Sequence, residues 1–119
     1  MDDSDEIQAT VTDYFEGWYA ADVERIAKSL HPDYVVRWAE DSEGEHLIAV
    51  DRNGILTSTA EGGGRDRRDG AAFEVDVIEV YHDIATVVVR STEYRDYLHL
   101  IRTSHGWRIV NAFLRMTEE

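Results

Sequence analysis

His99 stands between Tyr97 and Ile101 in an alternating stretch near the end of the chain. An imidazole on such a face can give or take a proton near neutral pH. A lone histidine there also suits a core position with its ring nitrogens satisfied locally. Tyr14 lies beside an apolar helical stripe and offers one O–H donor, either to a ligand or to a neighbour in the core. Trp18 and Trp38 are broad apolar surfaces that fill a core or stack on a flat aromatic ligand. Arg95 would grip a carboxylate or phosphate bidentately if it pointed inward, and is a solvated rim residue otherwise. His31 with Asp33, and His46 with Glu43 and Glu45, are of metal-ligating type, but their spacing matches no standard site and no metal is expected.

Other chemistry is missing from the chain. No Ser-His-Asp arrangement, dinucleotide fingerprint or nucleophile elbow can be traced, and no cofactor is expected. The run from Gly62 to Gly70 is rich in glycine and arginine, but it lacks the Lys-Ser/Thr ending and the preceding strand of a phosphate-binding loop. It reads as a solvated connection. With no cysteine, disulfides, thiolate nucleophiles and cysteine-ligated zinc are excluded.

The elements that must hold these side chains follow from periodicity. Ile7, Val11, Phe15 and Trp18 recur at helical spacing and predict a helix over 4–20, with Asp3 or Ser4 as its cap. Asp22 opens a second, short helix that ends at His31-Pro32-Asp33. Tyr34 to Trp38 reads as a strand, 40–45 as a loop, and 47–50 as a short apolar run. Asp51 caps a third helix through about Ala60, weakened by Gly54. Four strands follow as a meander, at 73–81, 84–92, 94–103 and 107–115, joined by hairpin-length turns and therefore antiparallel.

Both faces of that meander are apolar. Leu98 and Leu100 oppose Tyr97, His99 and Ile101, while Trp107, Ile109 and Phe113 oppose Val110, Ala112 and Leu114. Helices can cover one face. The other is expected to meet a second copy, most simply as an isologous homodimer.

With 119 residues, 43% of them hydrophobic, the chain is long enough for one core and is read as a single domain, 1–119. A net charge of −13 would repel nucleic acid and an anionic membrane surface, so neither is expected as a partner. One lysine against eleven arginines and 25 acidic residues suits a high-salt cytoplasm or an arginine-biased codon usage. No apolar run approaches the roughly 18–20 residues of a membrane span, and Met1 to Glu6 does not read as a signal peptide. A cytoplasmic location is expected.

The order helix, helix, strand, helix and four long antiparallel strands resembles the cone-shaped α+β superfamily of nuclear transport factor 2. The resemblance is carried by Tyr14-Phe15-Glu16-Gly17-Trp18-Tyr19 with Asp22, by Leu30-His31-Pro32-Asp33, by Asp96-Tyr97-Leu98-His99-Leu100 and by Gly106-Trp107-Arg108-Ile109-Val110-Asn111. That superfamily includes ketosteroid isomerase, scytalone dehydratase and polyketide cyclases, and the chain looks most like its small bacterial lumazine-binding-like branch. The resemblance implies three N-terminal helices on a curved, mainly antiparallel sheet that encloses an apolar pocket. Ketosteroid isomerase uses an aspartate base with a tyrosine and a protonated aspartic acid as oxyanion donors. The tyrosine role falls on Tyr14, the base on Trp38 and the second donor on His99. An indole cannot abstract a proton, so steroid isomerisation itself is not expected.

The reading that follows is a binding domain for a small apolar or aromatic molecule. Tyr14 and His99 would orient its polar atoms, and Trp18, Trp38, Arg95, Tyr97, Ile101, Ala112 and Leu114 would line the pocket. The alternative is an isomerase, dehydratase or cyclase with His99 as acid/base and Tyr14 as donor, Glu79 or Glu93 replacing the lost base. A protein-interaction module is the third reading, since fold alone does not choose among them.

Overall fold

The computed structural model describes residues 2–65 and 72–117. Helix α1 runs Asp3–Ala20, and its cap is Asp2, one residue earlier than expected; the Asp2 carboxylate accepts from the Asp5 N–H at 2.9 Å. Ala21 ends the helix in the left-handed region at φ 56°. Helix α2 (Val23–Ser29) is capped by Asp22, and α3 (Arg52–Ala60) by Asp51, whose carboxylate accepts from the Gly54 N–H at 2.9 Å. Helices α1 and α2 meet at Gly17, where a Cβ would stand 2.8 Å from the Ile26 backbone nitrogen. A glycine is therefore needed for that approach.

Six strands form one open sheet in the order β2-β1-β6-β5-β4-β3. They are β1 (Leu30–Ala39), β2 (Leu47–Asp51), β3 (Phe73–Tyr81), β4 (Ile84–Ser91), β5 (Tyr94–Thr103) and β6 (Gly106–Met116). All neighbouring pairs are antiparallel except β1 and β6, which run parallel. Strand β1 begins at Leu30, ahead of the Tyr34 start expected from sequence. Its pairing with β6 steps from Leu30–Ile109 to Val35–Asn111, so Pro32, which has no N–H to give, falls in the unpaired gap.

The helices cover one face of this sheet. Ile7, Val11, Phe15 and Ile26 pack with Leu98, Leu100, Trp107 and Ile109 in a single buried cluster. Each such side chain contributes on the order of 1.5–3 kcal/mol by leaving water. Trp107 is tied to α1 from both ends: its indole donates to Asp3 at 3.2 Å and its carbonyl accepts from the Thr10 hydroxyl at 3.1 Å. Across α1 and α2, Arg25 bridges Asp13 at 2.9 Å and Glu16 at 2.5 Å.

The strand faces differ from expectation in two ways. In β5, Tyr94, Asp96, Leu98 and Leu100 are buried under the helices, whereas Arg95, Tyr97 and His99 are exposed on the other side and Ile101 is partly so. The alternation is as read, but the side facing the helices is the opposite one. In β6, the pairing steps from His99–Asn111 to Leu100–Ile109, leaving Val110 as an extra residue. That bulge puts Trp107 and Ile109 on the same side as Ala112 and Leu114, and leaves Val110, expected with that pair, toward the outer face with Phe113. Among the described residues, no helix is long and apolar enough to cross a membrane.

Candidate functional site

A cavity of about 410 Å³ lies between α1, α3 and the helix-covered face of the sheet. Its size falls in the usual range for small-molecule sites. Helix α1 supplies Tyr14, Phe15 and Trp18, one helical turn of residues that the amphipathic stripe turns toward the sheet. Strand β1 supplies Val36 and Trp38, and β5 supplies Tyr94 and Asp96, each pair two residues apart and so on one face. Leu114 and Met116 of β6, Val50 of β2, and Ile55 and Ser58 of α3 complete the wall together with Gly63.

The polar groups of this cavity are few and connected. The Tyr14 and Tyr34 hydroxyls are 2.5 Å apart, and either can be the donor. The Trp18 indole N–H donates to the Tyr94 hydroxyl at 3.3 Å. Tyr94 is held in turn by Ser91, whose hydroxyl accepts from the Tyr94 N–H at 2.9 Å and donates to its carbonyl at 3.1 Å. Tyr14 packs edge-on against Phe15, with ring centroids 5.2 Å apart.

Asp96 is the exception. It is 2% exposed, and its Oδ1 is buried with no hydrogen-bond partner. Loss of hydration raises its carboxyl to about 7, against an ordinary 3.8. Burial, reinforced by the nearby Asp96 charge, also pushes the Tyr14 phenol well above its ordinary value. The Tyr34 phenol is raised too, chiefly by burial. All three groups are therefore poised as protonated donors at the acid side of neutral pH.

The glycines after α3 close one side. A Cβ on Gly64 would stand 2.5 Å from the Trp18 carbonyl oxygen and 2.7 Å from its indole ring, and one on Gly63 would meet the same ring at 2.7 Å. The stretch read as a solvated connection thus begins as a backbone wall packed flat on Trp18. Residues 66–70 of that stretch lie outside the described residues.

Of the side chains singled out from sequence, Tyr14, Trp18, Trp38 and Leu114 share this cavity, and Ala112 is buried in the core beside it. His99, Tyr97, Ile101 and Arg95 do not. They lie on the outer face of β5, because the Leu98/Leu100 side is the one the helices bury. His99 borders a depression of about 480 Å³ with His31, Glu79, Tyr81 and Ile84, and its Nδ1 is 3.4 Å from the Asn111 amide. The larger volume does not make this the better site: its polar side chains at His99, Glu79 and Asn111 are open to solvent, whereas Asp96 is not. Arg95 stands between Arg90 and Arg115 in the strand register. His31 Nδ1 accepts from the Asp33 N–H at 2.9 Å, a local turn. Among the described residues, no three metal-ligating side chains gather.

Asp96, Tyr34 and Tyr94 were not picked out from sequence. Counting by twos back from the apolar pair Leu100 and Leu98 reaches Asp96 and Tyr94, so an acid in an apolar row was the available signal.

Comparison with known proteins agrees with this architecture. The model of a family described as putative lumazine-binding matches residues 2–115. An NTF2-like protein of unknown function from Shewanella baltica OS155 superposes with a TM-score of 0.76 at 11% identity, covering 98% of this chain and 94% of that one. An NTF-2 like protein of unknown function from Silicibacter pomeroyi DSS-3 gives 0.74 at 19% identity, covering 98% and 100%. A ketosteroid isomerase-like protein from Erwinia carotovora atroseptica gives 0.67 at 13% identity, covering 95% of each chain. No curated protein sequence matches the chain.

Proposed function

The chain belongs to the putative lumazine-binding family of NTF2-like fold, and from that premise we propose that it is a small-molecule-binding domain whose ligand occupies the cavity beneath α1. The observation that carries this reading is the set of aromatic walls, Tyr14, Trp18, Trp38 and Tyr94, around a cavity whose one carboxyl group among the described residues has an unmatched oxygen. Aromatic faces supply apolar contact, and a few placed polar atoms set orientation. Tyr14 offers the hydroxyl, Asp96 the carboxyl, and Trp38 stands where a base would be needed for isomerisation.

A catalytic reading with His99 and Tyr14 acting on one substrate is not favoured, because the two side chains open on opposite faces of the sheet. A carboxyl raised to about 7 favours a different second reading, in which Asp96 is the acid/base of an isomerase, dehydratase or cyclase.

The outer face has its own role in this proposal. Leu47, Tyr81, Ile84, Tyr97 and Phe113 are each half or more exposed there. We assign that face to a second copy of the chain, in a homodimer that leaves both cavities free.

Native mass spectrometry of the purified protein, followed by denaturation and identification of released small molecules, tests the binding reading. A reproducible compound, displaced when Trp38→Ala shortens the cavity wall, is the expected result. A protein that carries nothing, and whose indole fluorescence no apolar or aromatic compound perturbs, would overturn it.

A further inference from the structure

The chemical class of the ligand can be taken further, resting on the reading that the cavity beneath α1 is a binding site. Asp96 is the one carboxyl group among the described residues that line it; no arginine, lysine or histidine does. Its Oδ1 lacks a partner, and the surrounding wall is Tyr14, Trp18, Trp38 and Tyr94. A buried carboxylate without a counter-ion is costly. Aromatic faces present negative potential to whatever they surround and hold cations well, quaternary ammonium groups in particular. The chain as a whole carries −13, which concentrates cations near it and repels anions. Each of these features selects the same sign.

We infer that the cavity takes an organic cation, an aryl or alkyl ammonium, with Asp96 as its counter-ion and Trp18 and Trp38 against its apolar body. The cation gives the Asp96 carboxylate the partner that the protein withholds. A neutral ligand would instead take a hydrogen bond from the protonated acid, and the two cases respond to pH in opposite directions.

The groups facing Asp96 make the pH response readable. They are Tyr14 and Tyr19 of α1, Tyr34 of β1 and Tyr94 of β5, with Val89 and Leu114 beside it in the sheet. Burial moves the Tyr14, Tyr19 and Tyr34 phenols upward, further from the neutral range. Of Asp96, Tyr14, Tyr19 and Tyr34, Asp96 alone changes charge between about pH 5 and pH 8.

The test compares phenyltrimethylammonium, a permanent cation, with its neutral isostere tert-butylbenzene, by calorimetry and indole fluorescence on the full chain. The cation is expected to bind roughly tenfold or more tightly than the isostere at about pH 8. That preference should shrink toward parity at about pH 5, and in Asp96→Asn at either pH. The pH series on the unaltered protein keeps the test open if the variant fails to fold. Equal binding of the two probes, or tighter binding of tert-butylbenzene, would overturn the cation assignment and leave the cavity reading intact. Failure of both probes to bind would overturn the cavity reading and the assignment with it.

Discussion

The hydroxyls of Tyr14 and Tyr34 are 2.5 Å apart, yet only Tyr14 lines the cavity; Tyr34 is fully buried behind it. If Tyr34 donates to Tyr14, the Tyr14 proton is left to point at a ligand. In that arrangement the pair would be a two-part donor, one part facing the cavity and one part fixing its direction. Tyr14→Phe leaves the Tyr34 hydroxyl buried without a partner, which costs about 1–3 kcal/mol, and Tyr34→Phe costs a similar amount. Removing both hydroxyls should cost clearly less than the sum, since neither is then orphaned. Urea unfolding of the two single variants and the double variant measures this directly. Additive losses would mean that the hydroxyls do not depend on each other.

Asp96 gives stability a pH slope of known sign. Its carboxyl titrates near 7 in the folded chain and near its ordinary 3.8 when unfolded. Between those values the folded chain holds a proton that the unfolded chain has released. Stability therefore falls as pH rises from about 4 to about 7, then levels off. Below about 4 both states are protonated and the penalty vanishes. The loss across the window is on the order of a few kcal/mol. Asp96→Asn should flatten this part of the profile and be the more stable protein at about pH 8. Comparing variant with parent removes the background slope from the other acidic groups. Parallel profiles for the two proteins would show that Asp96 is not the group responsible.

The order of the elements was legible because local signals carried it: Asp22 and Asp51 as caps, the α1 stripe, and the hairpin turns of the meander. Which side of β5 faces the helices was not. Tyr97 and Ile101 are as apolar as Leu98 and Leu100, so alternation showed two faces without saying which one is covered. The bulge at Val110 compounded this, because one extra residue reverses parity along β6 and leaves no mark in composition. Trp18 was found because helical periodicity placed it on the α1 stripe, with Tyr14 beside it; Trp38 and the donor role of Tyr14 came from the resemblance to ketosteroid isomerase. Asp96 was overlooked because an acid beside Arg95 looks like part of a solvated strand end, and only tertiary burial makes it otherwise.

Gly64 should be intolerant of any side chain. Its Cβ position is 2.5 Å from the Trp18 carbonyl and 2.7 Å from the indole nitrogen, so Gly64→Ala must displace either the Trp18 ring or the segment after α3. The first outcome breaks the 3.3 Å bond from Trp18 to Tyr94 and changes the cavity wall. A stability loss of about 1–3 kcal/mol is expected, with weakened binding of any ligand that stacks on Trp18. Gly44, whose Cβ position meets nothing, is no control because its φ of +73° penalises alanine independently. Ser58→Ala is a better one, since it changes the same wall without a clash. If Gly64→Ala matched the parent in both unfolding and indole fluorescence, the packing of the glycine backbone on Trp18 would not exist in solution.

The outer face supplies the last prediction, and it separates assembly from binding. Phe113 is 54% exposed and pairs in register with Tyr97, 51% exposed, at the middle of the uncovered face. Both lie on the opposite side of the sheet from Tyr14 and Asp96. Sedimentation at micromolar concentration should give about twice the 13.6 kDa chain mass. Phe113→Asp puts a charge where a second copy would have to desolvate it, and should yield a folded monomer. Because Phe113 is remote from the cavity, the monomer should keep its ligand affinity to within about twofold, as expected for independent sites. His99→Ala, on the same outer face, should likewise leave affinity in the cavity unchanged. A parent protein that sediments as a monomer in both low and high salt would refute the assembly and leave the exposed aromatic pair to be explained by another partner. A loss of binding in His99→Ala would show that the two faces of β5 communicate.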